Sequence, residues 1–244
     1  MSDSRPIVDL WIWQLETTDR SGHAPPPDIR METLSHEERQ RAGRFVHARD
    51  RDRYVRAHIG MRVVLSQYDF MEPASLAFRY GPAGKPFLAR PDAPRFNLSH
   101  SGSLAALAVS RALEPGLDIE IARDASRAVA SVLSVEEKAE LDRLPPEKRA
   151  DAFARAWTRK EAVVKALGTG FETSPEEIVV GVSPDRVTPL VRAPAAFAPF
   201  ERWRIECFPC GASVIAAIAA AAPDYRIVRR TPPWRNRSDL PPMS

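Results

Sequence analysis

The chain has 244 residues, with 35 Lys+Arg against 32 Asp+Glu and a formal net charge of +3, a length that suits one large domain or two small ones. Hydrophobic residues at 44% supply a core, a mean hydropathy of −0.31 is ordinary for a soluble protein, and the net charge is too small to imply nucleic-acid binding by itself. The longest apolar stretch, Ala212 to Ala222, is broken by Ser213 and falls short of the ~18 residues of a membrane span.

Ile7 to Leu15 is rich in β-branched and aromatic residues and reads as a strand. Pro25, Pro26 and Pro27 mark a loop. Ser35-His36-Glu37-Glu38 is a capping-box pattern that opens a helix. A second helical stretch runs from about Asp50 to Tyr68, with Tyr54, Ala57, Met61, Val64 and Leu65 at helical spacing. Leu76 to Tyr80 reads as a short strand, and Gly81-Pro82-Ala83-Gly84 as a turn. Arg95 to Leu98 and Leu104 to Ser110 read as strands around a polar loop, Ser99 to Ser103. Gly116 to Ile121 is a further strand. Ser134-Val135-Glu136-Glu137 repeats the capping box, and a long helix from Pro146 to Leu167 ends at Gly168. Ile178–Val182, Arg202–Phe208, Ser213–Ala219 and Tyr225–Arg229 read as short strands. The proline-rich tail from Thr231 reads as extended or disordered. Phe96–Ser110 and Ile205–Ala219 share one pattern: a strand, a polar turn and a small-residue strand. That repeat predicts two similar α+β halves, 1–114 and 115–230, followed by a tail, 231–244.

The basic residues are unevenly chosen and placed. Only five lysines, Lys85, Lys138, Lys148, Lys160 and Lys165, stand among thirty arginines. A position that keeps lysine in such a chain is one where a compact ammonium suits better than a planar fork. Arg39, Arg41, Arg44, Arg49, Arg51, Arg53, Arg56 and Arg62 crowd one stretch, partly offset by Glu37, Glu38, Asp50 and Asp52. This stretch reads either as a solvated, salt-bridged helix or as an anion site for phosphates or an acidic partner. Two cysteines cannot build a disulfide framework, and the N-terminus lacks the basic-then-apolar pattern of a leader. A reducing, cytoplasmic location is therefore expected.

Several residues are equipped for chemistry. Asp118 and Glu120 lie two apart in a strand, so both carboxylates leave one face while Ile119 leaves the other. The pair marks either a solvated edge or a cation site, since close carboxylates repel. Glu161 sits in Trp157-Thr158-Arg159-Lys160-Glu161-Ala162-Val163-Val164-Lys165. Helical spacing brings Glu161 and Lys165 together on one face, which is also the spacing of a routine surface pair. Ser99-His100-Ser101 has no Gly-x-Ser-x-Gly elbow and suits a phosphate better than a hydrolase. Gly84-Lys85-Pro86 places a lone lysine on a rigid turn, as a phosphate contact or a surface turn. Cys207-Phe208-Pro209-Cys210 lacks the context of a redox or zinc site, and no phosphate-binding glycine loop occurs.

In order, Gly84-Lys85-Pro86, Phe96-Asn97-Leu98-Ser99-His100-Ser101, Gly116-Leu117-Asp118-Ile119-Glu120 and Trp157 to Lys165 resemble the 4'-phosphopantetheinyl transferase family in its long, monomeric, surfactin-synthetase type. The likeness covers about residues 44 to 170. It implies an α+β fold of two pseudo-twofold halves with the site at their junction. It also implies transfer of 4'-phosphopantetheine from coenzyme A to a serine of an acidic carrier protein, releasing adenosine 3',5'-bisphosphate. By the same resemblance, Asp118, Glu120 and Glu161 hold Mg²⁺. Arg53, Lys85, Pro86, Ser99 and His100 face the nucleotide, and Lys160 and Lys165 neutralise the diphosphate. Glu161, directly or through water, or Lys165 serves as base. Two other classes give different expectations. A non-catalytic coenzyme A- or carrier-binding module would lack a carboxylate or a motif lysine. A nucleic-acid-binding protein would show a helix-turn-helix or an aromatic platform, and no membrane role is expected.

Overall fold

The computed structural model describes residues 4–16, 30–121, 129–168, 173–211 and 213–234. The Pro25–Pro27 loop and the tail beyond 234 lie outside the described residues. Two four-stranded sheets dominate. The first has the order β10 (Arg226–Arg230), β1 (Ile7–Gln14), β5 (Leu104–Ser110), β4 (Arg95–Ser101), and the second β6 (Gly116–Ile121), β9 (Val214–Ala220), β8 (Arg204–Gly211), β7 (Val187–Pro189). A small hairpin pairs β2 (Phe78–Tyr80) with β3 (Pro86–Leu88).

Strand alternation builds the layers. On β1, Val8, Leu10 and Ile12 meet Leu117, Ile119, Ala216 and Ile218 of the second sheet in a shared core. Trp11 and Trp13 turn the other way, onto Ala57, Met61, Val64 and Leu65 of α2 (Ala48–Asp69). On β9, Ala217 and Ala219 face Ala162, Val163 and Ala166 of α5 (Pro146–Leu167). The order is therefore helix, sheet, sheet, helix. The small side chains of β5 and β9 are buried on both faces, which lets the layers approach closely.

The mixed α+β class and the two-half plan are both present. Helices α2 and α5 each have 22 residues, and the hairpins β4–β5 and β8–β9 correspond. Both capping boxes form: Ser35 and Glu38 open α1 (His36–Ala42), and Ser134 and Glu137 open α4 (Val135–Asp142). The short helix α3 (Val129–Val132), β3 and β7 were not expected from the sequence.

Four expectations are corrected. Ser99, His100 and Ser101 are not in a loop but in β4, and the turn is only Gly102–Ser103. Ile178–Val182 is no strand. It makes a single bridge, Val179 with Arg192, because the side chains of Lys160 and Glu137 take its backbone groups instead. The last strand, β10, falls within 115–230 yet pairs in parallel with β1 of the first half. Finally, the tail starts later than Thr231, because Trp234 is buried against Trp13, with ring centroids 5.8 Å apart and nearly perpendicular.

Close contact between β6 and α5 depends on Gly116. A Cβ there would stand 1.9 Å from the Ala162 carbonyl oxygen and 2.3 Å from the Ala166 nitrogen, both helix backbone. Gly116→Ala should therefore cost about 3 kcal/mol or more in urea unfolding. Gly43→Ala, whose nearest contact would be an ordinary 3.5 Å, should cost far less.

Candidate functional site

The site lies where β4 and β6 meet. These edge strands do not share a backbone ladder. Side chains of β4 accept from the β6 backbone instead: Asn97 Oδ1 from Leu117 N–H at 2.8 Å, Ser99 Oγ from Ile119 N–H at 3.3 Å, and Ser101 Oγ from Ile121 N–H at 3.3 Å. The serine hydroxyls then donate to the carboxylates of β6. Ser99 reaches Asp118 Oδ1 at 3.1 Å and Ser101 reaches Glu120 Oε2 at 3.0 Å. Leu117 and Ile119 enter the core between the sheets, which leaves Asp118 and Glu120 on the α5 side, as strand alternation requires.

From α5, the Lys165 ammonium donates to Asp118 Oδ1 at 2.5 Å and stands 3.5 Å from Ser99 Oγ. Glu161 lies one turn earlier, half-buried, and no hydrogen bond holds its carboxylate among the described residues. Burial pushes the Asp118 carboxyl up to about 6; Lys165 opposes this, and Glu120 and Glu161 add to it. Glu161 is also raised, by burial first, with Lys165 opposing and Glu120 adding. Asp118 is 4% exposed, and its Oδ2 has no hydrogen-bond partner among the described residues.

Among the described residues, no three His, Cys, Asp or Glu side chains are gathered closely enough to hold a metal. Lys165 stands at Asp118 instead. Asp118, Glu120 and Glu161 nevertheless offer hard carboxylate oxygens, and Asp118 Oδ2 has no hydrogen-bond partner among the described residues. That chemistry suits a hard divalent cation.

Lys85, Lys160, Glu161 and Lys165 line one cavity of about 220 Å³, together with Gly84, Asn97 and Val164. The lysines thus reach one cavity, but their ammonium groups do not converge in it. Lys160 is 1% exposed; its Nζ lies 2.6 Å from Glu137 Oε2 and 2.9 Å from the Pro175 carbonyl, with the Ile178 carbonyl as third acceptor. All three of its protons are used, so it is not placed to neutralise a diphosphate. Lys85 Nζ likewise meets Glu114 at 2.5 Å, the Ala166 carbonyl at 3.0 Å and the Pro115 carbonyl at 3.3 Å.

A groove of about 600 Å³ shares Gly84 and Asn97 with this cavity, and its walls include Arg41, Arg44, Tyr54, His58, Tyr80, Pro86 and His100. His100 therefore faces the groove. Its pKa is lowered first by the packing around its ring, then by the charges of His58, Lys165 and Arg53, while Glu120 opposes. Ser99 turns away, onto Asp118. Arg53 is held by Glu16, at 2.8 Å. Arg41, Arg44 and His58 of the groove belong to the basic stretch that the sequence read as either a solvated helix or an anion site, without a separate role for any of the three. His58 and Arg62 lie one helical turn apart on α2, and both bind the buried Glu38, at 2.9 and 2.7 Å. Burial opposes ionisation of Glu38. Its bonds to His58 and the Ser35 amide, and the charges of His58 and Arg62, outweigh that and lower it to about 2. A glutamate at the third capping-box position facing a His-x-x-x-Arg spacing was the available signal.

The Asp118 shift has a defined sign. A carboxyl raised in the folded state binds its proton more tightly there than in the unfolded chain. Ionised Asp118 therefore costs stability, a cost that develops as pH rises from about 4 to about 6. Asp118→Asn removes it. Its stability relative to the parent protein should be greater at pH 7.5 than at pH 4, by on the order of 3 kcal/mol, in urea unfolding with divalent metals chelated. An equal difference at both pH values contradicts this account.

Comparison with known proteins agrees with this architecture. Residues 114–219 match the family model of the 4'-phosphopantetheinyl transferase superfamily, and residues 28–112 match that of the 4'-phosphopantetheinyl transferase N-terminal region. The chain is 35% identical to the 4'-phosphopantetheinyl transferase HetI of Nostoc, over 78% of this chain and 79% of that protein. It is 27% identical to the 4'-phosphopantetheinyl transferase Sfp of Bacillus subtilis, over 80% and 85%. It is also 45% identical to AcpT of Escherichia coli K12, over 36% of this chain and 47% of that protein. The two matched regions meet at the β4–β6 seam, and the chain belongs to the 4'-phosphopantetheinyl transferase superfamily.

Proposed function

We propose that this chain, acting as a cytoplasmic monomer, transfers 4'-phosphopantetheine from coenzyme A to a serine of an acyl- or peptidyl-carrier protein and releases adenosine 3',5'-bisphosphate. The observation that carries this reading is that Glu161 and Lys165, which binds Asp118, line a cavity sharing Gly84 and Asn97 with a groove walled by Arg41, Arg44, Tyr54, His58, Tyr80 and His100. The groove suits a phosphorylated nucleoside. Arg41, Arg44, His58 and His100 supply positive or hydrogen-bonding groups, and Tyr54 and Tyr80 supply ring faces. Arg53, Lys85 and Pro86 are retained on the nucleotide side, with Arg53 and Lys85 neutralised by Glu16 and Glu114.

Asp118, Glu120 and Glu161 are the residues that would hold Mg²⁺. When bound, that ion supplies charge neutralisation on the phosphoryl oxygens. The remaining chemistry falls to the chain. The carrier serine oxygen attacks the pantetheine-side phosphorus of the diphosphate as the bridging P–O bond breaks, and the electron pair leaves on adenosine 3',5'-bisphosphate. Glu161 takes the serine proton, directly or through water; burial, which raises its pKa, makes it a better base. Lys165 stabilises the anionic oxygens, and the halves 1–114 and 115–230 close the cavity between them. The exposed arginines near the groove suit an acidic carrier.

Asp118→Ala and Glu161→Ala should each lower transfer by about a hundredfold or more while both variants remain folded. Intact-mass detection of the phosphopantetheine adduct on an apo-carrier, with coenzyme A and Mg²⁺ present, reads this directly. Full activity in either variant overturns the assignment. Lys165→Arg should also slow transfer markedly, because a planar fork does not fit between Asp118 Oδ1 and Ser99 Oγ.

A further inference from the structure

Glu120 differs from Asp118 in how it is held. Asp118 is fixed twice, by Ser99 and by Lys165. Among the described residues, Glu120 has one hydrogen-bond partner, the Ser101 hydroxyl at 3.0 Å. That hydroxyl is itself oriented. Its oxygen accepts the Ile121 amide proton at 3.3 Å, so its own proton must point elsewhere, and the Glu120 carboxylate is the acceptor within reach. Gly102 sets the register of this contact. It sits at φ +58 in the two-residue turn after Ser101, and a Cβ there would stand 2.5 Å from Ile121 Cδ1. The turn therefore seats directly on the residue whose amide holds Ser101.

We propose that Ser101 is a positioning residue for Glu120. The backbone amide of Ile121 fixes the serine hydroxyl, and the hydroxyl fixes one carboxylate oxygen, leaving the other directed away from the seam toward a cation. This inference rests on the reading of Glu120 as a metal-holding carboxylate. Ser101 acts only through Glu120. Its effect is to remove rotational freedom that Glu120 would otherwise lose on binding a cation.

Mn²⁺ is the probe, with its affinity measured by electron paramagnetic resonance in the presence of coenzyme A and without any turnover. Ser101→Ala should weaken Mn²⁺ binding about tenfold. The Mg²⁺ concentration for half-maximal transfer should rise by a similar factor, with kcat at saturating Mg²⁺ largely kept. Ser101→Thr and Ser101→Val, nearly equal in shape, separate the hydroxyl from packing: Thr should bind Mn²⁺ as the parent does and Val should match Ala. Unchanged Mn²⁺ affinity in the Ala and Val variants, with weakened affinity in Glu120→Gln, overturns the role of Ser101 and leaves the carboxylate reading standing. Unchanged affinity in all of them, Glu120→Gln included, overturns both.

Discussion

Everything at the site depends on how two sheet edges meet without a backbone ladder. An edge strand exposes unpaired N–H groups that must find acceptors if they are buried. On β6 these are the amides of Leu117, Ile119 and Ile121, and β4 answers them with the side chains of Asn97, Ser99 and Ser101. Direct pairing would bring the strands to about 4.8 Å and merge the two sheets. Bridging by side chains holds them farther apart, and the second hydrogen bond of each serine is spent on a carboxylate. A single alternating triplet therefore joins the halves and aims Asp118 and Glu120. The small residues of β5 and β9, and the bare Cα of Gly116, let the helices come close enough to close the cavity over that seam.

The choice of lysine in an arginine-rich chain has a physical cause at two positions. Lys85 and Lys160 each place a single nitrogen among three acceptors, one carboxylate and two carbonyls. Three protons on one compact centre match three acceptors arranged around a point; a guanidinium spreads its donors across a plane. Arg159, next to Lys160 and also buried, shows the converse, reaching the Gly181 and Asp185 carbonyls at 3.3 and 2.6 Å with separate nitrogens. Composition thus pointed to compact ammonium sites correctly. At 85 and 160 the compact ammonium answers one of the protein's own carboxylates and two of its carbonyls.

Regular elements were the legible part of the sequence. The two capping boxes, the long helix ending at Gly168 and the Asp118–Glu120 alternation each follow from local spacing, and local spacing is what a sequence displays. Ser99–Ser101 misled because polar residues usually mark a loop, whereas here their partners lie on a strand some twenty residues later. Ile178–Val182 misled for the complementary reason. Its apolar run is buried like a strand, but a buried ion pair from two helices satisfies its backbone. The strand at Tyr225–Arg229 was legible, but its pairing with β1 was not, and neither was the docking of Trp234 on Trp13, because no local pattern reports a contact across the whole chain. The groove residues Arg41, Arg44 and His58 come from α1, the turn after it and α2, and nothing in the composition of the basic stretch separates them from the arginines beside them.

The same helix shows how a rigid scaffold can carry less restrained charges. Helix α5 is clamped along one side. Arg159 and Lys160 tie it to the segment 175–185, Thr158 bonds back to the Ala154 carbonyl at 2.7 Å, and Ala162, Val163 and Ala166 pack on the second sheet. Glu161 and Lys165 project from the remaining face. Glu161 has no protein hydrogen bond among the described residues, and Lys165 reaches across the cavity to Asp118. The backbone positions of both are therefore fixed to the accuracy of a packed core, while the Glu161 carboxylate keeps rotational freedom and the Lys165 ammonium is held by Asp118. Such an arrangement concentrates desolvated like charge, and the raised Asp118 and Glu161 carboxyls show its cost. Buried Glu137 and Glu38 offset their charges fully with cations and amides. The carboxyls of Asp118 and Glu161 are raised instead, and that contrast within one chain sets them apart from the carboxylates that hold the fold.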